Sequence, residues 1–195
     1  MLTRMRSLPF VALDSVFKVG WPINKPKPTM AECVVLDIQC VRFNNNDFIV
    51  KELAAVSVKP FGVACVLTFQ PPCTLCKLSL DVQRQIQWLE RHHHMIPFES
   101  GLYPYETLKL HLTTLAHPFS TILCKGLEKA RFLNNILQQK VINLEDYGCP
   151  SLDSFHHDHY CDFHLKKGGT CALRNAKALV QWFGENSRLR ESVIE

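Results

Sequence analysis

The stretch CDFHLKKGGTCALRNA, residues 161–176, places Cys161, His164 and Cys171 in the spacing C-x2-H-x6-C. Thiolate and imidazole are the donors zinc prefers, and two intervening residues let a single turn direct Cys161 and His164 at one ion. Gly168 and Gly169 give the chain the freedom to double back so that Cys171 reaches the same ion. Three ligands on one loop need a fourth. His156, His157, His159, Asp158 and Asp162 are close in sequence, and Glu52 stands inside the apolar run FIVKELAAV, where a carboxylate is costly to bury unless paired or coordinated. Spacing does not choose among them, and alternation does not settle which face Glu52 takes, because Ile49, Lys51 and Leu53 on one side and Val50, Glu52 and Ala54 on the other are both mixed. The plain alternative is a surface loop with incidental thiols. A long irregular connection within one domain, however, needs a staple, and disulfides do not persist in a reducing compartment. The expectation is therefore a bound metal, with zinc as the ion.

Other groups carry weaker chemistry. Cys73-x2-Cys76 in QPPCTLCKL resembles half a zinc knuckle or a redox pair, but no second pair answers it, so a proline-stiffened loop with incidental thiols is expected. The triplet His92-His93-His94 suits the end of a helix, where basic side chains meet the negative end of the macrodipole. Lys125, Lys129, Arg131, Lys166, Lys167, Arg174 and Lys177 gather late in the chain, interleaved with Phe132, Tyr147, Phe155, Tyr160 and Phe163. That mixture fits a groove for single-stranded nucleic acid; a solvated helix face is the alternative.

The elements that must position these groups fit one domain. The chain has 195 residues, 47% hydrophobic and 21% charged, enough to bury a full core. A formal charge of +4 permits a nucleic-acid partner without requiring one. No apolar run approaches the roughly 20 residues of a membrane span, and no segment has the layout of a secretory signal. The opening MLTRMRSLPFVALDSVF is basic until Asp14 and is read as a stray upstream start rather than a transit peptide. Nine cysteines is an odd number, and Cys33, Cys40 and Cys65 sit in apolar strands as small hydrophobes, so a disulfide scaffold is excluded and an intracellular location, cytoplasmic or nuclear, is expected.

Residues 1–30 end in WPINKPKPTM and read as an extended or disordered lead-in; the domain is placed at 31–185 and a tail at 186–195. CVVLDIQCV, FIVKELAAVSV and VACVLTF read as three strands, the first pair joined at NNND. Ser79 caps a helix carrying Val82, Ile86 and Leu89, and a second helix is expected to start at Pro104 and bury Tyr105, Leu108, Leu112 and Leu115. STILC and KVINL are short strands flanking the helix GLEKARFLNNIL. A final helix is expected from a Thr170 cap to a Gly184 stop, with Ala172, Ala176, Leu179, Val180 and Phe183 on one face. The order β-β-β-α-α-β-α-β-α predicts a mixed five-stranded sheet, a three-stranded antiparallel meander followed by alternating helices and strands, with helices on both faces. That is the element order of the ribonuclease-H-like fold.

Three segments resemble motifs of the DEDD 3′–5′ exonucleases, ribonuclease-H-like enzymes that hold two magnesium ions with four acids. VVLDIQC stands where that family has D-x-E, with Asp37 matching the first acid and Gln39 in place of the glutamate. KGLEKARFL resembles the middle motif without its aspartate, and TCALRNAKAL resembles the last, with Thr170 for its histidine and Asn175 for its aspartate. A degenerate exonuclease with added Cys and His ligands is similar to the Maelstrom domain of germline RNA-silencing proteins. That resemblance implies Glu52, Cys161, His164 and Cys171 as the metal ligands, and His92 or His94 as the counterpart of the family's central histidine. It departs from the family in having no HMG-type box before the domain. The implied function is a zinc-stabilised, exonuclease-derived domain that binds single-stranded RNA without DEDD-type cleavage, Asp37 being a remnant. The alternatives are a divergent metal-dependent nuclease acting on RNA or DNA, using acids such as Asp37, Glu52, Glu128, Glu145 and Asp146, or a protein-interaction module in RNA silencing or transposon control. Single-stranded RNA and protein partners are expected, and no membrane.

Overall fold

The computed structural model describes residues 33–44, 47–58, 64–155, 161, 164 and 169–186. The lead-in at 1–30, His156, His157, Asp158, His159, Tyr160, Asp162, Phe163, Lys166, Lys167, Gly168 and the tail from 187 lie outside them.

The apolar run at the start of the domain forms β1 (Cys33–Asn44), and β2 (Asp47–Ser57) returns antiparallel to it. β3 (Ala64–Thr68) pairs antiparallel with β2 on its other side. Helix α1 (Leu80–His92) is capped by Ser79, whose hydroxyl accepts from the Val82 amide at 3.5 Å. A short 3-10 turn, Tyr105–Thr107, leads into α2 (Leu108–Ala116), so Pro104 precedes a 3-10 turn and the α-helix itself begins four residues later than expected. β4 (Thr121–Cys124), α3 (Leu127–Leu137) and β5 (Val141–Asn143) follow, and α4 (Ala172–Glu185) closes the domain. The sheet order is β3-β2-β1-β4-β5, with β4 parallel to β1 and β5 parallel to β4. This mixed five-stranded sheet flanked by helices is the ribonuclease-H-like architecture that the element order predicts. Among the described residues no helix is long and apolar enough to cross a membrane.

Because β1 and β2 lie inside the sheet, both of their faces are covered. Val34, Leu36, Ile38, Leu53 and Ala55 pack with Leu112, Ile122 and Leu133 beneath α2 and α3. On the opposite face Cys33, Val35, Ala54 and Val56 pack with Ala172, Ala176, Leu179 and Phe183 of α4. A third cluster places Ile86 and Leu89 of α1 over Val41, Ile49 and Phe98. Cys33 is buried as expected, whereas Cys40 and Cys65 are only partly so. Val180 is half-buried at the edge of its cluster.

Two corrections concern α4. Its cap is Cys171, not Thr170, and the helix runs through Gly184 to Glu185, because a surface glycine in the last turn weakens a helix without ending it. A third concerns β2, where the register shifts between Gln39 and Cys40: Gln39 pairs with Glu52 but Cys40 pairs with Val50, leaving Lys51 as the extra residue of a bulge. Strict alternation therefore fails, and Val50 joins the same cluster as Leu53. The Val50 amide at the bulge donates to the Tyr105 hydroxyl, 3.2 Å, which itself donates to the Phe48 carbonyl, 2.8 Å.

The bulge buries Lys51 completely. Its ammonium donates three hydrogen bonds, each 2.6 Å, to the carbonyls of Phe69, Phe98 and Ser100. Burial pushes its pKa down to about 8, against the pull of Glu99 and Glu90. One side chain thus ties β2 to the end of β3 and to the loop after α1. Next to that loop, Gly101 adopts φ +147°, and a Cβ there would come within 2.1 Å of the Phe69 backbone. Lys51→Met removes the donors but leaves three buried carbonyls, so unfolding free energy should fall by about 2–4 kcal/mol; urea titration measures it, and an unchanged midpoint would show that those carbonyls find other partners.

Candidate metal centre

Glu52 sits on β2 between Gln39 of β1 and Thr68 of β3, under the N-terminus of α4, and is fully buried. One carboxylate oxygen, Oε2, accepts the Ala172 amide at 2.7 Å, which uses the first free N–H of α4 and sets the negative charge against the positive end of the helix. The other, Oε1, lies 2.9 Å from Cys161 Sγ, 3.2 Å from His164 Nε2 and 3.9 Å from Cys171 Sγ. The two sulfurs are 3.7 Å apart, and all four donor atoms lie within 4.8 Å of one another. Of the fourth-ligand candidates, Glu52 joins the three loop residues; His156, His157, Asp158, His159 and Asp162 lie outside the described residues. Among the described residues this is the only group of three or more such side chains that can hold a metal ion.

The surroundings prepare these atoms. The other nitrogen of His164, Nδ1, meets the His94 carbonyl, an arrangement that fixes the ring with Nε2 aimed into the cluster. Gly169 is buried where a Cβ would stand 2.9 Å from the His93 carbonyl and 3.3 Å from that of His94, so its role is close backbone approach. Thr170, expected as a helix cap, instead donates its amide to the His93 carbonyl at 2.7 Å. The hydrogen bond from Cys161, together with one from His164, draws the Cys171 thiol down to about 3 against the opposing effect of burial. Burial opposes charge on His164 as well, but hydrogen bonds to Cys171 and Glu52 overcome it and lift the imidazole to about 10. Both shifts come from the close approach of these groups to one another.

His94, the candidate family histidine, is buried beside this site; its Nδ1 accepts from the Ile96 amide at 3.0 Å, and its Nε2 has no partner among the described residues. Burial, aided by the neighbouring charges of His93, His164 and Lys51, pushes it down to about 3 and keeps it neutral. His92 is exposed at the last position of α1. Cys73 and Cys76 bring together no third ligand among the described residues. None of the nine cysteines is disulfide-bonded, and burial raises Cys40 and Cys124 to about 12, where they are unreactive.

A second polar centre lies on β1. Asp37 is fully buried and accepts from Lys129 Nζ of α3 at 2.6 Å, Asn175 Nδ2 of α4 at 2.8 Å and Gln39 Nε2 at 3.4 Å. The three segments carrying the exonuclease resemblance thus converge on one carboxylate. Burial alone would lower the Lys129 pKa, but the charge and hydrogen bond of Asp37 raise it, so an internal ammonium neutralises the aspartate.

The other acids considered for catalysis are engaged separately: Glu128 with Arg42, Glu145 with Lys125 at 2.7 Å, and Asp146 with Asn143 at 3.1 Å. Of the basic residues assigned to a nucleic-acid groove, Lys125 and Lys129 are therefore ion-paired, Arg131 is exposed, and Arg174 and Lys177 are half-buried on α4. Phe132 is withdrawn from any groove: it is a core residue, edge-on to Phe48 at 5.4 Å. Tyr147 and Phe155 are half-buried. Sequence reasoning missed Lys51 and the Lys129–Asp37 pair. The available signal was a lysine inside an apolar strand and another beside Ala130 and one helical turn before Leu133.

Against this geometry, comparison with solved structures gives likenesses to nucleases. The chain is similar to the 3′-exonuclease in a structure of 3′-end-specific recognition of a histone mRNA stem-loop, with 12% identity and a TM-score of 0.48 over 86% of this chain and 66% of that one. It is similar to E. coli exonuclease I in complex with a dT13 oligonucleotide, with 12% identity and a TM-score of 0.48 over 83% of this chain and 43% of that one. Exonuclease I from Methylocaldum szegediense gives 11% identity and a TM-score of 0.43 over 82% and 42%. The chain thus spans about two thirds of the first and under half of the other two. No protein-family model and no curated protein matches the sequence.

Lys129→Met should leave Asp37 buried without a counter-charge and cost about 3–5 kcal/mol. The double variant Asp37→Asn with Lys129→Met should recover most of that loss. A double-mutant cycle by chemical denaturation measures the coupling, and additive losses would contradict it.

Proposed function

We propose that the chain is a zinc-stabilised, exonuclease-derived domain of the Maelstrom-like kind that binds single-stranded RNA and has no DEDD-type 3′–5′ exonuclease activity. The observation that carries the reading is the cluster of Glu52, Cys161, His164 and Cys171. Two sulfurs, one nitrogen and one oxygen are the donor types of a zinc site, and at ordinary zinc bond lengths the corners of a tetrahedron are about 3.3–3.8 Å apart. The sulfur–sulfur separation of 3.7 Å falls in that range, and the separations of Glu52 Oε1 from Cys161, His164 and Cys171, 2.9, 3.2 and 3.9 Å, bracket it. Four protein donors leave no open position for substrate or water, so the zinc serves to fasten rather than to catalyse. It would hold β2, the 161–164 loop and the first turn of α4 together. Glu52, Cys161 and Cys171 would supply charge, and His164 would bind through Nε2 with its other nitrogen held by the His94 carbonyl.

The Asp37 centre supports the negative half of the reading. Two-metal phosphodiester cleavage needs several carboxylates on a pair of divalent ions. Here Asp37 instead meets a lysine ammonium and two side-chain amides, which are poor company for magnesium. A divergent nuclease would have to recruit Glu128, Glu145 and Asp146 away from their present partners.

Metal analysis of purified protein should give close to one zinc per chain, and Cys161→Ser should release it. Removing the zinc from wild-type protein with a chelator should lower the melting temperature, with loss of order first in the α4 region by hydrogen exchange. Metal-free protein of unchanged stability would sink the zinc claim. The same protein should bind a single-stranded RNA oligonucleotide at low salt, with affinity falling as salt rises. It should leave the 3′ end intact in magnesium or manganese, in wild type and Asp37→Asn alike.

A further inference from the structure

The outer face of α1 carries an aromatic and cationic group that none of the preceding sites uses. Trp88 is 55% exposed, an unusual position for an indole in the middle of a helix that buries Ile86 and Leu89. Its ring is nearly parallel to that of His93, at 20° with centroids 6.0 Å apart, and lies 6.0 Å from that of His92. Arg84, Trp88, Arg91 and His92 recur at the spacing of one helix face, so cations flank the indole along the helix. Arg84 is held only by Asp81 at 3.2 Å, an exposed pair of the kind that contributes little and yields readily to a stronger anion. Arg91 is exposed.

We propose that Trp88, with His93 and His92, is a base-stacking platform for single-stranded RNA, and that Arg84 and Arg91 take its phosphates. The proposal rests on the RNA-binding reading above and adds to it where a base sits. The residue types favour a nucleic acid over a protein partner: Trp88 is ringed by imidazoles, arginines and glutamines rather than by the contiguous apolar surface that a docking helix would need. An indole face beside cations is the recurrent means of holding an unpaired base and its backbone.

The platform is also rigid at its inner end. The His93 carbonyl accepts the Thr170 amide at 2.7 Å, and the Thr170 hydroxyl lies 3.3 Å from His93 Nδ1. Thr170 immediately precedes the ligand Cys171, so the metal clasp and the platform share backbone. Burial, with Lys129 adding to it, lowers the His93 pKa, so the ring stacks as a neutral aromatic.

The test uses the full chain at low salt with two fluorescent probes of equal length, an oligouridylate and an abasic oligonucleotide with the same number of phosphates. Trp88→Ala should weaken the oligouridylate by about fivefold or more and leave the abasic probe unchanged, while Trp88→Phe should keep most of the affinity. Arg91→Ala should weaken both probes and lessen the salt dependence. Thermal melts of each variant check folding, which an exposed indole should not disturb. If wild type binds the oligouridylate and Trp88→Ala binds it equally well, the platform is wrong and the RNA-binding reading stands. If wild type binds neither probe, the RNA-binding reading fails and the platform fails with it.

Discussion

A carboxylate cannot be buried in the middle of a sheet unless something answers its charge, and Glu52 is fully buried on the second strand of a three-stranded meander. Its answer comes from far away in sequence: the first amide of the last helix and a sulfur-nitrogen-sulfur set from the loop before that helix. The rest of the domain is arranged around this demand. The small residues Ala172 and Ala176 bring α4 close against Ala54 and Val56, so that the helix terminus reaches the carboxylate. Gly169 itself sits close against the backbone of residues 93 and 94. The His94 carbonyl in turn sets the plane of the His164 ring.

The domain contains two buried acids and treats them differently. Glu52 faces two thiols and an imidazole from the loop before α4 and the first amide of α4 itself. Asp37 is neutralised from within by Lys129, with Asn175 and Gln39 completing its hydrogen bonds. An ammonium with amide partners keeps this aspartate from being bare inside the sheet. The same α4 serves both acids, Ala172 touching one and Asn175 the other, one turn apart.

Much of this architecture is legible in the residues. Strand and helix order follow from the change of period after Phe69, and Ser79 marks its helix because its hydroxyl accepts a free first-turn amide. The candidate metal ligands on the loop are legible because C-x2-H is short, local chemistry. Glu52 is ambiguous for a physical reason: the bulge at Lys51 breaks alternation, and no periodic argument detects an extra residue whose partner strand decides its position. Lys51 itself is concealed by the same bulge, since its three acceptors are backbone carbonyls that any sequence could supply. Thr170 looks like a cap by type, yet Cys171 holds that place, because the Thr170 amide is already bound to the His93 carbonyl. Phe132 reads as a groove aromatic from its basic neighbours but lies on the inward face of α3.

The separation along the chain between Glu52 and Cys171, 119 residues, has a consequence for how the molecule assembles. Closing so long a loop is entropically demanding, and contacts of that range form late. The meander can pair while the chain is still being synthesised, but its carboxylate stays uncompensated until nearly the whole polypeptide has emerged. Closure of this cluster is accordingly among the last events of folding, and a nascent chain short of its last helix would present an open, acidic seam to whatever quality-control machinery surveys it.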